Sequence, residues 1–184
     1  MTAELEVLQD AAGRLERAGI AYMLTGSIAL SYHAEPRMTR DIDIVVQLEE
    51  RDAGEIAALF APDYYVSDED VSRAMRTRGM FNVLHLEKLV KLDLIVRKDE
   101  EYRRHEFQRR VRVQLPGFRV WIVSKEDLIL SKLAWAKDTM SELQLRDVRV
   151  LLTTAPDRAY LHHWAARLGV ADLLQRSLDA GYDA

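Results

Sequence analysis

The 184-residue sequence contains no cysteine, which excludes disulfides and cysteine-based zinc sites. It also lacks any apolar run that approaches the roughly 20 residues a helix needs to span a bilayer. The first ten residues are acidic rather than signal-like. Together these absences predict a soluble, cytoplasmic protein with no membrane partner.

An excess of basic charge is missing as well. The chain has 26 Lys and Arg residues against 30 Asp and Glu residues, for a formal net charge of −4. This balance argues against a general nucleic-acid coat protein, although a local basic patch can still bind RNA. The apolar fraction of 48% can supply a sizeable core, and the length fits one compact domain or a catalytic core with a helical appendage.

The periodicity of the apolar residues changes near residue 123. Upstream, helical patterns alternate with strand-like runs at 20–24, 41–46, 80–86 and 89–96, followed by a hairpin around Pro116-Gly117. From Ser124 onward the patterns are helical, with Ser124, Ser141 and Asp157 as candidate N-caps and Gly169 and Gly181 as candidate C-terminal stops. The sequence therefore predicts an α/β (α+β) core with a mixed sheet in residues 1–123 and a helical bundle in residues 124–184. It does not determine the strand order.

Asp41 and Asp43 alternate on one predicted strand. A strand projects residues i and i+2 to the same side, so these carboxylates converge. Converging carboxylates resist ionisation unless a cation neutralises them, and oxygen ligands suit magnesium. Asp93, on another predicted strand, would supply a third ligand, and three such carboxylates can hold two metal ions in phosphoryl transfer. A D-x-D pattern is also common on surfaces, but aspartate on a core strand is disfavoured and points to function.

A Gly26-Ser27 turn lies where a predicted strand ends and a helix begins. Backbone N–H groups at such a turn point outward with the helix dipole behind them, which is a ready site for a phosphate. Gly26 lets the backbone approach closely, and the Ser27 hydroxyl can donate a hydrogen bond. Taken alone, the same pattern is also typical of a simple turn with an N-cap.

Taken together, these motifs resemble the DNA polymerase β-like nucleotidyltransferase superfamily. They are Thr25-Gly26-Ser27-Ile28-Ala29, then Arg37-x-Thr39-x-Asp41-x-Asp43, then Asp93 within Lys91-Leu92-Asp93-Leu94-Ile95. Within that superfamily the chain is similar to the AbiEii-type toxins and related stand-alone bacterial nucleotidyltransferases. The resemblance covers about residues 20–96 of the core.

The resemblance implies an enzyme that transfers a nucleoside monophosphate from a nucleoside triphosphate (NTP) to an acceptor and releases pyrophosphate. It implies that Asp41 and Asp43 bind two Mg²⁺ ions, with Mn²⁺ as an alternative. Asp93 is then the third ligand and the candidate activator of the acceptor hydroxyl. The implied nucleotide-binding residues are Gly26, Ser27, Arg37 and Thr39.

The resemblance also implies partners. The NTP is a substrate, with ATP as one candidate, and the acceptor is RNA, such as a tRNA 3′ end, or a protein side chain. A role in a toxin–antitoxin or phage-defence system would add a cognate antitoxin or toxin protein. The rival hypothesis is a non-catalytic module that keeps the fold as an antitoxin or scaffold. The intact carboxylates and Gly-Ser turn argue against that rival.

Two predicted helices carry apolar arcs, which are Leu128, Ile129, Trp135 and Ala136 in the first and Leu143, Leu145, Val148 and Leu151 in the second. Lys132 lies within the first arc and Asp147 within the second. Charges in such arcs need a partner or a ligand. One interpretation is a buried ion pair that joins the helices. The other is that Lys132 binds a phosphate while Asp147 orients it or the acceptor, which makes both candidate catalytic residues. AbiEii-type sequences carry a similar helical lysine followed by an Arg-Asp pair, here Arg146-Asp147, and this favours the functional interpretation.

Two further features leave alternatives open. A dense basic stretch predicts either a solvated face or an acceptor groove for the tRNA backbone; its members are Arg103, Arg104, Arg109, Arg110 and Arg112. The three tryptophans, Trp121, Trp135 and Trp164, predict core packing, although an adenine base can also stack on such a ring.

Overall fold

The structure is a computed structural model that describes residues 2–34, 41–49 and 52–180. These residues form nine helices and seven strands. In chain order they are α1 (Ala3–Arg17), β1 (Tyr22–Leu24), α2 (Gly26–His33), β2 (Asp41–Val46), α3 (Ala53–Phe60), β3 (Tyr64–Val66), α4 (Asp68–Thr77), β4 (Met80–His85), β5 (Lys91–Val96), α5 (Glu101–Gln108), β6 (Val111–Leu115), β7 (Phe118–Ile122), α6 (Lys125–Thr139), α7 (Glu142–Leu152), α8 (Arg158–Leu168) and α9 (Ala171–Asp179).

The seven strands form one mixed sheet in the order β3-β4-β5-β2-β1-β7-β6. β2 lies near its middle, parallel to β5 and antiparallel to β1. β4 runs antiparallel to β5 on the other side of that strand. The fold class predicted from the sequence, an α/β core with a mixed sheet plus C-terminal helices, is confirmed.

Burial on β2 alternates along the strand as its sequence predicts. Ile42, Ile44 and Val46 are fully buried, whereas Asp41 is exposed and Asp43 is half-buried. Apolar side chains on one face anchor the strand to the core, so its register is firmly set. The opposite face carries the two aspartates.

Two elements were not predicted from the sequence, β3 and α5. β3 is only three residues long, too short for alternation to stand out. α5 is rich in charge and has no long apolar arc, and it buries Tyr102, Glu106 and Phe107.

The chain divides into two compact units. The first comprises the described residues of 1–28 and 38–123 and contains the sheet. The second comprises those of 29–37 and 124–184 and contains α6 to α9. The division into a catalytic core at residues 1–123 and a C-terminal helical region at residues 124–184 stays a prediction.

The helix caps predicted in the second unit are confirmed. Ser124, Ser141 and Asp157 each accept a hydrogen bond from the backbone N–H three residues later, which satisfies a donor that the helix leaves unpaired. Gly169 ends α8 in the left-handed conformation, with φ +66. The predicted stop at Gly181 lies outside the described residues.

Two positions predicted to be apolar core are exposed. Trp135 is 59% exposed and Leu143 is 47% exposed, so placing them on packed arcs was wrong. Both lie close to the turn between α6 and α7, at the end of the helix pair rather than along its packed middle. Trp164 is buried as predicted. None of the helices in the described parts of the chain combines the length and apolar character that crossing a membrane requires.

Candidate active site

The strand register of the first unit brings the predicted carboxylates together. Asp43 on β2 lies opposite Asp93 on β5, and Asp41 lies opposite Lys91. On the far side of β5, Asp93 is paired with Asn82 on β4. A row of polar side chains, Asn82, Asp93 and Asp43, therefore crosses three adjacent strands. We call Asp41, Asp43 and Asp93 the carboxylate site.

Asp93 is the most buried member of the carboxylate site, with a residue exposure of 8%. Asn82 Nδ2 donates a hydrogen bond to Asp93 Oδ1 at 2.5 Å. Lys91 Nζ lies 3.2 Å from Asp93 Oδ2. Both carboxylate oxygens thus have a partner, which satisfies a charged group that burial would otherwise penalise. Asn82 was not singled out from the sequence, although it is a polar residue within a predicted strand.

Lys91 also reaches Asp41, with Nζ 3.6 Å from Asp41 Oδ1. Partial burial on its own lowers the pKa of Lys91. The hydrogen bond to Asp93 and the attraction of Asp93 and Asp41 outweigh that effect and raise the pKa above its ordinary value. Lys91 is therefore a cation held between two of the three carboxylates.

Gly26, two residues after the end of β1, lies against the Asp43 side chain of the carboxylate site. It begins α2 with φ +64, a conformation that glycine adopts at little cost. A Cβ atom at this position would lie 1.9 Å from Asp43 Oδ2, so any residue other than glycine would force the Asp43 side chain to move. Just before it, the Thr25 backbone N–H donates to the Asp43 carbonyl oxygen at 2.9 Å. The Gly-Ser turn is therefore in direct contact with Asp43, and Ser27 follows as the second residue of α2.

The donor set suits a divalent metal ion, because carboxylate oxygens are the ligands that hard cations prefer. Strand register puts Asp43 beside Asp93, and glycine at position 26 leaves the Asp43 oxygen uncrowded. Within the described ranges, no three histidine, aspartate or glutamate side chains stand close enough together to hold a metal ion as they are oriented. Lys91 lies against two of the three carboxylates instead. Arg37 and Thr39, predicted to bind the nucleotide, lie outside the described residues.

Lys132 and Asp147 form a close ion pair in the second unit. Lys132 Nζ lies 2.7 Å from Asp147 Oδ2, and their side chains are only 6% and 4% exposed. Lys132 Nζ also donates to Gln144 Oε1 at 3.0 Å, a partner that the sequence did not reveal. Arg146, by contrast, is exposed. The ion pair anticipated from the sequence is thus present, and it joins α6 to α7.

The basic stretch is largely engaged with other side chains. Ion pairs join Arg103 to Glu106 at 2.9 Å, Arg104 to Asp99 at 3.3 Å and Arg112 to Glu16 at 3.4 Å. Arg110 lies over the rings of Phe107 and Trp121, at 4.3 Å and 5.0 Å from their centroids. Burial lowers the pKa of Arg110. These contacts favour a paired protein surface over a groove for a nucleic-acid backbone.

Comparisons with known proteins identify a family and a shared fold for this chain. The model of the family described as "Nucleotidyl transferase AbiEii toxin, Type IV TA system" matches residues 15–174. No curated protein matches the sequence.

Several solved structures share the fold. An antigenic nucleotidyltransferase-like protein from Paracoccidioides brasiliensis matches with a TM-score of 0.66 and 19% identity, over 100% of this chain and 95% of that chain. ANT(2")-Ia, solved with adenylyl-2"-tobramycin, matches with a TM-score of 0.58 and 15% identity, over 97% and 99%. The lincosamide antibiotic adenylyltransferase LnuA, solved with lincomycin, matches with a TM-score of 0.56 and 15% identity, over 84% and 98%. At identities this low, the structural similarity establishes a common fold alone.

Proposed function

The chain belongs to the AbiEii nucleotidyltransferase family, and on that premise we propose that it is a metal-dependent enzyme that transfers a nucleoside monophosphate from an NTP to RNA or protein. The observation that carries this proposal is the polar row across the sheet, with Asp43 beside Asp93 and Gly26 against Asp43. Strands that place carboxylates side by side are costly unless positive charge, from a side chain or a metal ion, neutralises them.

Asp41, Asp43 and Asp93 are the residues that would hold two Mg²⁺ ions, with Mn²⁺ as a substitute. When bound, such ions neutralise phosphate charge and lower the barrier to displacement at phosphorus. The protein's own share is positioning. Asn82 holds one oxygen of Asp93, so that carboxylate has a defined orientation. Positioning of this kind accounts for much of the catalysis of phosphoryl transfer.

The reaction we propose is an in-line displacement. An acceptor hydroxyl oxygen forms a bond to the α-phosphorus, and the bond between the α-phosphorus and the bridging oxygen breaks to release pyrophosphate. Asp93 is the proposed acceptor of the hydroxyl proton. Gly26 and Ser27 are proposed to bind the triphosphate through backbone and hydroxyl donors at the start of α2, together with Arg37 and Thr39.

Lys132 and Asp147 are proposed as further catalytic residues, with Lys132 also binding phosphate. Their support is that a buried charged pair is seldom the best way to hold two helices together, since apolar residues often do so equally well. A second role for Lys132 would explain why a charged pair stands here in place of apolar residues.

Membership of a family of type IV toxins supports a toxin role within a toxin–antitoxin system, and we include a cognate antitoxin among the proposed partners. A cytoplasmic location is part of the proposal, because NTPs are supplied there. The non-catalytic alternative has no observation in its favour, since Asp41, Asp43, Asp93 and the Gly26-Ser27 turn are all present.

Incubation with labelled NTPs and Mg²⁺ against separate pools of RNA and protein tests the function and the acceptor together. We expect label in one pool, removed by ribonuclease or by protease according to the acceptor. Asp43→Asn protein serves as the matched control. Label that does not depend on Asp43 would come from another activity and count against the proposal.

Replacing Gly26 by alanine is expected to cost both stability and activity. The positive φ alone costs about 1 kcal/mol for any residue with a Cβ. Gly19→Ala is the matched control, because Gly19 has φ +70 with no atom within 4 Å of its would-be Cβ. Both variants should lose similar stability from backbone strain, but only Gly26→Ala should displace Asp43 and lower transfer by about 10²-fold. Thermal unfolding and transfer assays on both variants decide this. Equal transfer rates would show that the Gly26–Asp43 contact has no part in catalysis.

Ser27→Ala separates phosphate binding from a purely structural role of the hydroxyl. If the hydroxyl donates to the triphosphate, NTP affinity should fall about tenfold or more, with little change in stability. If the hydroxyl only stabilises the start of α2 from within its first turn, stability should fall by about 1 kcal/mol and NTP affinity should stay the same. Nucleotide titrations and thermal melts on the same samples distinguish these results. We expect the first.

A further inference from the structure

Lys91 occupies a position that the proposed mechanism does not use. It is the first residue of β5, opposite Asp41 in register and two residues before Asp93 on the same face of the strand. Its Nζ lies 3.2 Å from Asp93 Oδ2 and 3.6 Å from Asp41 Oδ1. One ammonium group thus contacts two of the three carboxylates.

These contacts involve oxygens that a divalent cation would need. Asp93 Oδ1 accepts a hydrogen bond from Asn82, and Asp93 Oδ2 faces Lys91. A cation that binds Asp93 through Oδ2 must therefore compete with the Lys91 ammonium group. Repulsion between a monovalent ammonium group and a divalent metal ion makes it unfavourable for both to contact the same oxygen.

The Lys91 side chain is able to move away from the two carboxylates. It is 40% exposed, and lysine carries its charge on a flexible four-carbon stem. Rotation about that stem would carry the ammonium group towards solvent without a change in the backbone. Asn82 would meanwhile keep its hydrogen bond to Asp93 Oδ1 and hold the carboxylate in place.

We infer that Lys91 is a built-in counter-ion of the carboxylate site, which neutralises Asp41 and Asp93 before a divalent cation binds and must be displaced when it does. This inference rests on the proposed metal-binding role of the carboxylates. Lys91 is accordingly a positioning residue that acts through Asp41 and Asp93. It stabilises the metal-free protein and lowers the affinity of the carboxylate site for a metal ion.

Calorimetric titration with MnCl₂ measures this competition directly. Lys91→Met should bind Mn²⁺ about tenfold more tightly than the wild type, because the competing charge is gone. Lys91→Gln, which keeps a polar side chain, should behave alike and guards against a folding defect in the methionine variant. Lys88→Met is the matched control, since Lys88 is a similarly exposed lysine that pairs with Glu6 instead. Its Mn²⁺ affinity should equal that of the wild type.

Thermal unfolding gives a readout independent of activity. In EDTA, Lys91→Met should melt a few degrees below the wild type, because Asp41 and Asp93 lose their cation. Saturating Mn²⁺ should then raise its melting temperature by more than it raises that of the wild type. Lys88→Met should show the same Mn²⁺-induced rise as the wild type.

The outcomes separate the counter-ion role from the proposed function. Equal Mn²⁺ affinity in the wild type and both Lys91 variants overturns the counter-ion role and leaves the enzyme proposal standing. Absence of Mn²⁺ binding in every variant overturns both the metal role of the carboxylates and the role of Lys91. Tighter binding by the Lys91 variants, together with a wild type that transfers no nucleotide, supports the counter-ion role and overturns the proposed function.

Discussion

Asp43→Asn is expected to lower nucleotidyl transfer by about 10²–10³-fold while the protein stays folded. The substitution keeps the size of the side chain and removes one negative charge, so the proposed metal ions lose a ligand that stabilises the transition state. Asp43 is half-buried on the polar face of β2 and contributes no apolar packing to the core. The fold should therefore not depend on its charge. Asp41→Asn should act in the same direction.

Steady-state transfer rates and Mn²⁺ titrations on purified variants check this result. Asp68→Asn is a suitable control, because Asp68 is an exposed aspartate in the first turn of α4. It should keep the rate of the wild type. A rate in Asp43→Asn within a factor of a few of the wild type would remove the carboxylate site from the mechanism, whatever the fold resembles.

Lys132→Met is expected to destabilise the protein by about 3–5 kcal/mol, because it leaves the Asp147 carboxylate buried without its cation. Gln144, the second partner of Lys132, would also lose its donor. The double variant Lys132→Met/Asp147→Leu should recover most of that stability, since apolar replacements of a whole buried pair are often neutral.

Activity separates the two roles of this pair. If Lys132 binds phosphate, the double variant stays inactive although it is well folded. Lys125→Met is the control on the same helix, because Lys125 donates to the Thr154 carbonyl oxygen and has no proposed share in the reaction. Chemical denaturation gives the stability of each variant and the transfer assay gives its rate. A stable double variant with wild-type transfer would limit Lys132 and Asp147 to holding α6 and α7 together.

Local patterns were enough to predict much of this fold. Alternation placed Asp41 and Asp43 on one face of β2, and capping residues correctly marked the starts of α6, α7 and α8. Each of these features depends on residues within a few positions of one another, so the sequence carries the signal directly. The predictions failed where the signal was weak, as in the three residues of β3 and the charged helix α5.

The order of the strands could not be predicted, and the partners of the carboxylates depend on it. Asn82 contacts Asp93 because β4 pairs with β5, and Lys91 contacts Asp41 because β5 pairs with β2. The β2–β5 pairing joins segments far apart along the chain, and periodicity within one strand says nothing about which strand lies beside it. The sequence did place Lys91 and Asp93 on one face of their strand. A lysine two residues from a candidate metal ligand is thus a signal that pointed to the contact.

Transfer of the α-phosphate tests the central proposal most directly. The wild-type protein is incubated with Mg²⁺ and its acceptor pool, once with NTPs labelled at the α-phosphate and once with NTPs labelled at the γ-phosphate. Nucleotidyl transfer predicts that the acceptor keeps the α label and that the γ label leaves with pyrophosphate. Asp43→Asn should abolish both the incorporation of α label and the release of γ-labelled pyrophosphate. Transfer of the γ label to the acceptor, or failure to transfer the α label from any of the four NTPs, would contradict it.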